Sequence, residues 1–418
     1  MKLSKFGEKF TAGAGIVELM ADLGSALNEN PDLIFMGGGN PARIPEMERI
    51  FKQGLEDVLK DPAKRYAMTG IYQSPKGDVG FRGQVARLLN THFGWSLSDA
   101  NIAISNGSQS AFFILYNLLA GTMADGSHRS IHLPLTPEYI GYSDLGISDN
   151  FFTATKPDIE LLEDSLFKYH IDFSRLEISE QTAALCVSRP TNPTGNVLTD
   201  DEVDHLDKIA RAADIPLIID GAYGLPFPNI SFVDATPHWN SNTILVLSLS
   251  KLGLPGVRTG IVVANEQLIQ AFSQANTVIN LASGNLGPAI AEPLFKDSKI
   301  INLCQQQVKP FYDDRAQRTV ALIQSHMQAI PYRIHRPEGA IFLWLWFEGL
   351  PINAEQLYQR LKKRGVLMVP GEHFFPGIED NWRHRHECMR ISYAQDFPVV
   401  EAGIKILAEE VNRVYAEG

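Results

Sequence analysis

The sequence predicts an α/β fold, with a mainly parallel sheet covered by helices on both faces and a second, smaller α+β domain. Between about residues 100 and 265, short apolar runs alternate with helical patterns, and this alternation is typical of a parallel sheet wrapped by helices. The runs are NIAIS, SIHLPL, AALCVS, IPLIID, TILVLS and GIVVA. After residue 300 the helical stretches become longer and surround one aromatic strand, GAIFLWLWF, which indicates the smaller domain.

Three segments are expected along the chain. Residues 46–300 form the large domain and residues 301–418 the small C-terminal domain. Residues 1–45 are too few to bury a core of their own, so we expect this N-terminal segment to dock on the small domain. A last helix is expected over about residues 398–416, where apolar side chains recur at helical spacing. Another helical stretch is expected near the start of the chain, around Ile16, Val17, Met20 and Leu23.

The composition argues against nucleic acid and membranes as partners. The 418 residues carry a formal net charge of -11, whereas nucleic-acid backbones are bound by clustered lysine and arginine. No apolar run approaches the ~20 residues of a membrane-spanning helix, and the N-terminus lacks the apolar core of a signal peptide. Three widely separated cysteines, Cys186, Cys304 and Cys388, suit reduced thiols. We therefore expect a cytoplasmic protein without structural disulfides.

Polar residues and glycines follow the predicted strands, and ligands of an open α/β sheet bind beyond the carboxyl ends of its strands. The stretch Asn106–Ser110 follows NIAIS and opens a helix. Its Gly107 permits a tight turn, and the free N–H groups of a helix start attract an anion, so this stretch predicts a phosphate site. Later strand ends carry Tyr139 in TPEYIGY, Asn192 in TNPTG, Asp220 followed by Tyr223, and Lys251 followed by Arg258.

One ligand would use all of these side chains, namely a phosphorylated pyridine aldehyde. A lysine amine forms a Schiff base with the aldehyde, an aspartate keeps the ring nitrogen protonated, and an arginine with backbone N–H groups binds the phosphate. Each residue alone has an ordinary explanation, since Asp220 could cap a strand end and Asn192 could simply form a turn. Their occurrence together at successive strand ends favours the cofactor site.

The order of these motifs resembles the fold-type I aminotransferases, which use pyridoxal 5′-phosphate, over essentially the whole chain. The motifs are MGGGNPARIPEM, NGSQSAFF, PEYIGY, SRPTNPTGN, SLSKLGLPG and PEGAIFLWLWF. The resemblance implies a seven-stranded parallel sheet, a homodimer, and transfer of an amino group between an amino acid and an α-keto acid. No second arginine stands in a motif that marks a reader of a distal carboxylate, so an apolar substrate pocket is expected. Valine with pyruvate, giving 3-methyl-2-oxobutanoate and alanine, is the expected pair.

The resemblance also implies roles for individual residues. Lys251 would form the Schiff base and move a proton, Asp220 would meet the ring nitrogen, and Tyr139 would stack on the ring. Tyr223 and Asn192 would bond the ring hydroxyl. The phosphate would be held by Gly107, Ser108, Gln109, Ser248 and Arg258, and by Tyr72 of the neighbouring subunit; the substrate carboxylate would be held by Arg390, Gly39 and Asn192. One departure concerns Arg258, which follows Lys251 by seven residues, one fewer than in many relatives, so the phosphate turn should be tighter.

Several other functions remain open at this level. The same lysine chemistry serves a C–S β-lyase or a decarboxylase, and a broad-specificity or glutamate-using aminotransferase would share the motifs. The effector-binding module of a transcription regulator is disfavoured because no basic recognition-helix pattern precedes the first core strand. The stretch HRHEC offers His384, His386, Glu387 and Cys388 as zinc ligands, but it lacks a second ligand pair at zinc-site spacing, so no metal is expected.

Overall fold

The computed structural model describes residues 1–11 and 32–418. Its longer strands are buried apolar runs, as expected for a sheet covered on both faces. The strands are β1 (Ile34–Phe35), β2 (Ile102–Ser105), β3 (Gly121–Thr122), β4 (His128–Leu133), β5 (Phe152–Ala154), β6 (Asp158–Leu161), β7 (Leu166–His170), β8 (Thr182–Ser188), β9 (Leu217–Asp220), β10 (Thr243–Ser248), β11 (Gly260–Val263), β12 (Tyr332–His335), β13 (Phe342–Phe347), β14 (Val366–Leu367), β15 (Val369–Pro370) and β16 (Cys388–Ser392).

The helices fill the intervals between these strands. Many begin with a side-chain cap or with proline in the first turn, both of which favour a helix start. They are α1 (Lys5–Thr11), α2 (Pro45–Lys60), α3 (Pro62–Thr69), α4 (Val79–Phe93), α5 (Ser108–Leu119), α6 (Asp200–Ala212), α7 (Glu266–Asn280), α8 (Leu286–Lys296), α9 (Lys299–Leu303), α10 (Lys309–His326), α11 (Ala354–Lys363) and α12 (Phe397–Glu417). The last helix agrees with the one predicted at about residues 398–416.

The large sheet has the strand order β2-β11-β10-β9-β8-β4-β3, with β5 also paired to β4. Strands β10, β9, β8, β4 and β5 run parallel, whereas β11 is antiparallel to both of its neighbours. The predicted mainly parallel α/β sheet is confirmed. Among the described residues it has eight strands rather than seven, because the two-residue β3 pairs with the start of β4.

Both faces of this sheet are covered by helices. Successive residues of a strand point to opposite faces, and Leu185 and Val187 of β8 belong to the buried cluster that includes side chains of α4 and α6. Cys186 between them belongs to a second buried cluster, formed with α5 and α7. The carboxyl ends of β8, β9 and β10 lie side by side, since Asp220 pairs with Ser188 on one side and Val246 on the other. The polar residues that follow these strands therefore meet at one edge.

A second, six-stranded sheet has the order β15-β16-β13-β12-β7-β6. Its aromatic strand β13 is antiparallel to β16 and places Trp344 opposite Arg390. Strands β6 and β7 come from the middle of the chain, yet β7 pairs in parallel with β12. The domain boundaries at residues 45 and 300 stay a prediction, and the segment Asp158–His170 shows that chain from before residue 300 builds the smaller sheet.

The described parts of the N-terminal segment contact two different regions. Strand β1 pairs in parallel with β14 of the C-terminal part of the chain. Helix α1 instead lies near α5, with the rings of Phe10 and Phe113 6.1 Å apart. The helical stretch predicted around Ile16, Val17, Met20 and Leu23 lies outside the described residues. No helix within residues 1–11 and 32–418 has the length and apolar character required to cross a bilayer.

Candidate active site

A cavity of about 460 Å³ opens at the carboxyl ends of β8, β9 and β10. Its wall combines chain from both sheets, because Arg390 of β16 and the segment after β1 line it together with residues that follow strands of the large sheet. Eleven of the residues predicted from the sequence line it. They are Gly39, Ser108, Gln109, Tyr139, Asn192, Asp220, Tyr223, Ser248, Lys251, Arg258 and Arg390.

Lys251 follows the end of β10 and points its amine into the cavity. Its Nζ donates a hydrogen bond to the Gly39 carbonyl at 2.5 Å and lies 5.3 Å from the centre of the Tyr223 ring. Burial, with the charge of Arg390 acting in the same direction, lowers the pKa of this amine to about 8. An amine with a pKa close to neutral can act both as a nucleophile and as a proton acceptor.

Asp220 ends β9 and is buried beside the cavity. Its Oδ2 accepts a hydrogen bond from the Tyr142 hydroxyl at 2.6 Å, and its Oδ1 accepts one from the Ala222 N–H at 2.9 Å. Burial raises the pKa of the carboxyl, which these two donors and Lys251 oppose. A carboxylate held in this way would gain from a cationic partner in the cavity, such as a protonated ring nitrogen.

The start of α5 forms an anion site together with Arg258. The helix begins at Ser108 without a side-chain cap, so its first N–H groups are available to a ligand. Gly107 has φ +95°, and a Cβ there would lie 2.3 Å from Nη2 of Arg258, so only glycine lets the guanidinium approach this closely. Arg258 itself adopts φ +48°, a left-handed conformation, in the short loop that follows Lys251. Helix N–H groups beside a guanidinium fit a phosphate.

Two other predicted phosphate residues lie in the same part of the cavity. Ser248 ends β10, and its buried hydroxyl oxygen accepts a hydrogen bond from the Ser250 N–H at 3.1 Å. Gln109 donates from Nε2 to the Gly141 carbonyl at 3.1 Å. Gln109 therefore joins the phosphate turn to the loop after β4.

Arg390 in β16 is buried in the wall of the cavity. Its Nη1 donates to Oδ1 of Asn192 at 2.8 Å, and its Nη2 donates to the Gly37 carbonyl at 2.7 Å. Its guanidinium carbon lies 4.2 Å from the centre of the Phe342 ring, and burial lowers its pKa to about 10. Within the described part of the chain, its buried Nε has no hydrogen-bond partner. A substrate carboxylate would satisfy this donor.

Two tyrosine rings face the ligand space. Tyr139 lies against Gly141, where an added Cβ would be 2.4 Å from its Cε1. Tyr223 is buried, and burial raises the pKa of its hydroxyl above the ordinary value, so it stays a neutral hydrogen-bonding group. Tyr72 is different, because 82% of its surface is exposed and it does not line the cavity. Its role toward a neighbouring subunit stays a prediction.

The sequence reasoning missed three buried polar groups at or near the cavity. Tyr142 holds Asp220, and Glu138 binds Ser188 at the cavity wall. Both belong to the motif TPEYIGY, in which the sequence predicts a role for Tyr139 alone. The third is a buried ion pair between Lys168 and Glu338. Lys168 also donates to Oδ1 of Asn196 at 2.8 Å, which secures the turn that carries Asn192.

The histidines of HRHEC make contacts of a different kind. His384 is buried and bonds the Tyr169 hydroxyl through Nε2, with Sγ of Cys388 3.6 Å away. Burial lowers the pKa of His384 to about 3, so it is neutral at physiological pH. His386 bonds Oε2 of Glu372 at 2.5 Å. The two histidines thus have separate partners, Tyr169 for His384 and Glu372 for His386.

The comparisons with known proteins agree with this geometry. The family model of aminotransferase class I and II matches residues 150–402. The chain belongs to this family. It is 50% identical over 417 residues to the valine–pyruvate aminotransferase of Escherichia coli (strain K12), covering 100% of both chains.

Solved structures support the same assignment. The valine–pyruvate aminotransferase from Salmonella typhimurium LT2 has a TM-score of 0.88 and 49% identity, over 96% of this chain and 100% of that one. The α-aminoadipate aminotransferase from Thermus thermophilus, complexed with N-(5′-phosphopyridoxyl)-L-leucine, has a TM-score of 0.79 over 100% and 98% of the two chains. At 21% identity it shows the fold alone. The predictions of a fold-type I aminotransferase and of pyridoxal 5′-phosphate as its cofactor are confirmed.

Proposed function

We propose that this aminotransferase moves the amino group of valine to pyruvate, giving 3-methyl-2-oxobutanoate and alanine. The relative from Escherichia coli, 50% identical over the full chain, supports the pair. The observation that carries the proposal is the set of charges and apolar side chains around the cavity.

Three cationic side chains line the cavity in the described residues, namely Lys251, Arg258 and Arg390. Each has a task, because Lys251 is the reactive amine, Arg258 lies at the phosphate turn and Arg390 has the free donor for the α-carboxylate. Residues 12–31 contain no lysine, arginine or histidine, so this stretch of the chain cannot supply a fourth cation. Within one chain, a second substrate carboxylate would therefore find no further cationic partner in the cavity.

The remaining wall is largely apolar. It includes Phe35, Phe112, Ile140 and Val369. An aliphatic side chain gains free energy when such a wall removes it from water, whereas a carboxylate loses its hydration without a compensating partner. A small branched amino acid such as valine fits this wall, and glutamate does not.

The residues of the cavity divide the reaction among them. When bound, pyridoxal 5′-phosphate supplies an electron sink that stabilises negative charge at the substrate Cα. Lys251 would bind the cofactor covalently, and its amine, with its lowered pKa, is suited to hold and move a proton at the substrate Cα. Asp220, fixed by Tyr142, would keep the ring nitrogen protonated. Arg390 holds the α-carboxylate so that the Cα–H bond faces the lysine.

The other predicted residues hold the ligands in place. Tyr223 and Asn192 would bond the ring hydroxyl, and Tyr139 would stack on the ring. Gly39 offers its backbone to the substrate carboxylate. The phosphate is held by Gly107, Ser108, Gln109, Ser248 and Arg258.

We expect a clear preference for valine over glutamate as amino donor. With pyruvate as acceptor, kcat/KM for valine should exceed that for glutamate by about a hundredfold, since an unpaired carboxylate in an apolar site costs about 2–3 kcal/mol or more. Alanine and 2-aminobutyrate should react measurably, because one methylene is worth only ~1–3 kcal/mol. Aspartate serves as a second acidic control. A preference for glutamate would refute the apolar pocket and indicate a dual-specificity enzyme.

We infer a cytoplasmic homodimer as the working unit. Exposed apolar side chains lie on two adjoining segments, with Tyr66 and Ile71 on one and Val278 and Leu281 on the other. The segments are linked by a hydrogen bond from Asn285 Nδ2 to the Ala67 carbonyl. Large apolar side chains exposed on two adjoining segments favour a protein interface. Tyr72 follows Ile71 in the first segment and would reach the phosphate bound by the partner subunit. Sedimentation should give the mass of two chains, and the mass of a single chain would contradict the dimer.

A further inference from the structure

Glu138 is a buried carboxyl that none of the roles above uses. It stands between the end of β4 and the aromatic platform Tyr139, and its side chain is wholly removed from solvent. Among the described residues it makes no ion pair with lysine, arginine or histidine, whereas the buried Glu338 and Glu410 both do. Burying an ionisable group without a counter-charge is costly. Such a group beside a ligand cavity is a candidate for function.

The contacts of Glu138 lead to the cavity wall. Its Oε1 accepts a hydrogen bond from the Ser188 N–H at 2.8 Å, and its Oε2 bonds the Ser188 hydroxyl and lies 3.3 Å from the Tyr139 nitrogen, whose N–H it accepts. Ser188 lines the cavity and pairs with Asp220 in the sheet. The Glu138 N–H donates to the Phe374 carbonyl at 2.8 Å, and the Phe374 ring lies 5.0 Å from the guanidinium carbon of Arg390. One residue thus joins the ring-stacking loop, the end of β8 and the loop beside the substrate arginine.

The protonation state of Glu138 decides which way Ser188 donates. Burial raises the pKa of Glu138 to about 8, and the charge of Asp220 acts in the same direction. The Ser188 hydroxyl donates to Oε2 of the carboxylate form, whereas the neutral acid that the raised pKa favours would donate its own proton to the Ser188 hydroxyl oxygen. The proton of the Ser188 hydroxyl is then free to donate into the cavity.

We propose that Glu138 is a positioning residue of the cofactor site, which fixes the Ser188 hydroxyl and the Tyr139 backbone at the cavity wall. The inference rests on the proposed function, because it takes the cavity to be the site of pyridoxal 5′-phosphate. It differs from a purely structural role in its consequence. Loss of the carboxyl should weaken cofactor binding beyond any effect on folding stability.

The test compares Glu138→Ala, Glu138→Gln, Ser188→Ala and the double variant Glu138→Ala/Ser188→Ala with the wild type. The dissociation constant of pyridoxal 5′-phosphate from each cofactor-free enzyme is measured by absorbance titration at pH 7. Thermal unfolding of the same samples reports stability. The matched control is Glu410→Gln. Glu410 is a buried residue of α12 that does not line the cavity, and its Oε1 accepts a hydrogen bond from Arg360 Nε at 2.6 Å.

We expect Glu138→Ala and Ser188→Ala each to weaken cofactor binding about tenfold, as for the loss of one buried hydrogen bond. The double variant should bind the cofactor about as weakly as Glu138→Ala alone, because Glu138→Ala already removes the contact with the Ser188 hydroxyl. Glu138→Gln should lose less affinity than Glu138→Ala, since its oxygen can accept from the Ser188 N–H and its amide can donate to the Ser188 hydroxyl, and only the acceptor of the Tyr139 N–H is lost. Glu410→Gln should unfold at lower temperature with an unchanged dissociation constant.

Normal cofactor affinity in Glu138→Ala or in Ser188→Ala would overturn the proposal, and so would additive losses in the double variant. If Glu138→Ala does not fold, Ser188→Ala and Glu138→Gln decide the question, because an equal loss in both or in neither contradicts it. Failure of the proposed function would look different. The wild-type enzyme would then not bind the cofactor or would not transfer the amino group of valine.

Discussion

Replacing Lys251 with alanine should abolish amino transfer. Of the three cationic side chains that line the cavity in the described residues, Arg258 lies at the proposed phosphate turn and Arg390 is assigned to the substrate carboxylate. Lys251 is therefore the candidate for the reactive amine, and its pKa of about 8 suits proton transfer. Without it the cofactor has no covalent attachment and the substrate Cα proton has no positioned acceptor. General-base catalysis alone contributes about 10²–10⁴-fold, so kcat with valine and pyruvate should fall by at least about a thousandfold.

The control is Lys405→Ala in α12, a lysine that pairs with Glu401 on the surface and should leave kcat unchanged. Borohydride reduction followed by mass measurement of the peptides should place the cofactor on Lys251 in the wild type and nowhere in the variant. Normal turnover of Lys251→Ala, or reduced cofactor on another lysine, would refute the assignment of the reactive amine.

Asp220→Ala should leave cofactor bound but reduce turnover severely. Asp220 is the buried carboxylate that β9 and Tyr142 hold at the cavity, and a protonated ring nitrogen would complete its interactions. Removing one partner of a buried charge pair costs about 3–5 kcal/mol, which corresponds to at least about a hundredfold in kcat. The proposed phosphate contacts lie at α5 and Arg258, so cofactor affinity should change less than turnover.

Tyr142→Phe provides the matched comparison for this prediction. It removes a single hydrogen bond to Oδ2 of Asp220 and leaves the carboxylate in place, so kcat should fall by about tenfold. The measurement is kcat at saturating valine, pyruvate and cofactor. Unchanged turnover in Asp220→Ala would mean that Asp220 only caps the end of β9.

The rule that ligands bind beyond the carboxyl ends of strands explains why the cavity could be predicted. Asp220, Lys251 and Asn192 are far apart in the sequence, but each follows an apolar run that forms a strand of the large sheet. The parallel register then brings their side chains together without any knowledge of long-range contacts. The nature of the residues at each end was enough to indicate the cofactor chemistry.

The groups missed by the sequence reasoning depend on contacts between distant segments. Tyr142 meets Asp220 across 78 positions of the chain, and Lys168 meets Glu338 across 170. No local pattern marks such pairs, because a buried lysine inside a strand has the same neighbours in sequence as an exposed one. The pairing of β7 with β12 is hidden for the same reason. For Gly107, the turn was predicted, but its need to admit the Arg258 guanidinium becomes visible only in three dimensions.

The central claim is that the cavity around Lys251 transfers the amino group of valine, and it is tested most directly without any acceptor. Cofactor-loaded enzyme is mixed with excess valine, and the released keto acid and ammonia are quantified before pyruvate is added. We predict about one equivalent of 3-methyl-2-oxobutanoate per chain with no ammonia or carbon dioxide, and about one equivalent of alanine when pyruvate is added after the unreacted valine has been removed. Continuous release of ammonia or carbon dioxide without pyruvate, or no keto acid at all, would contradict the account.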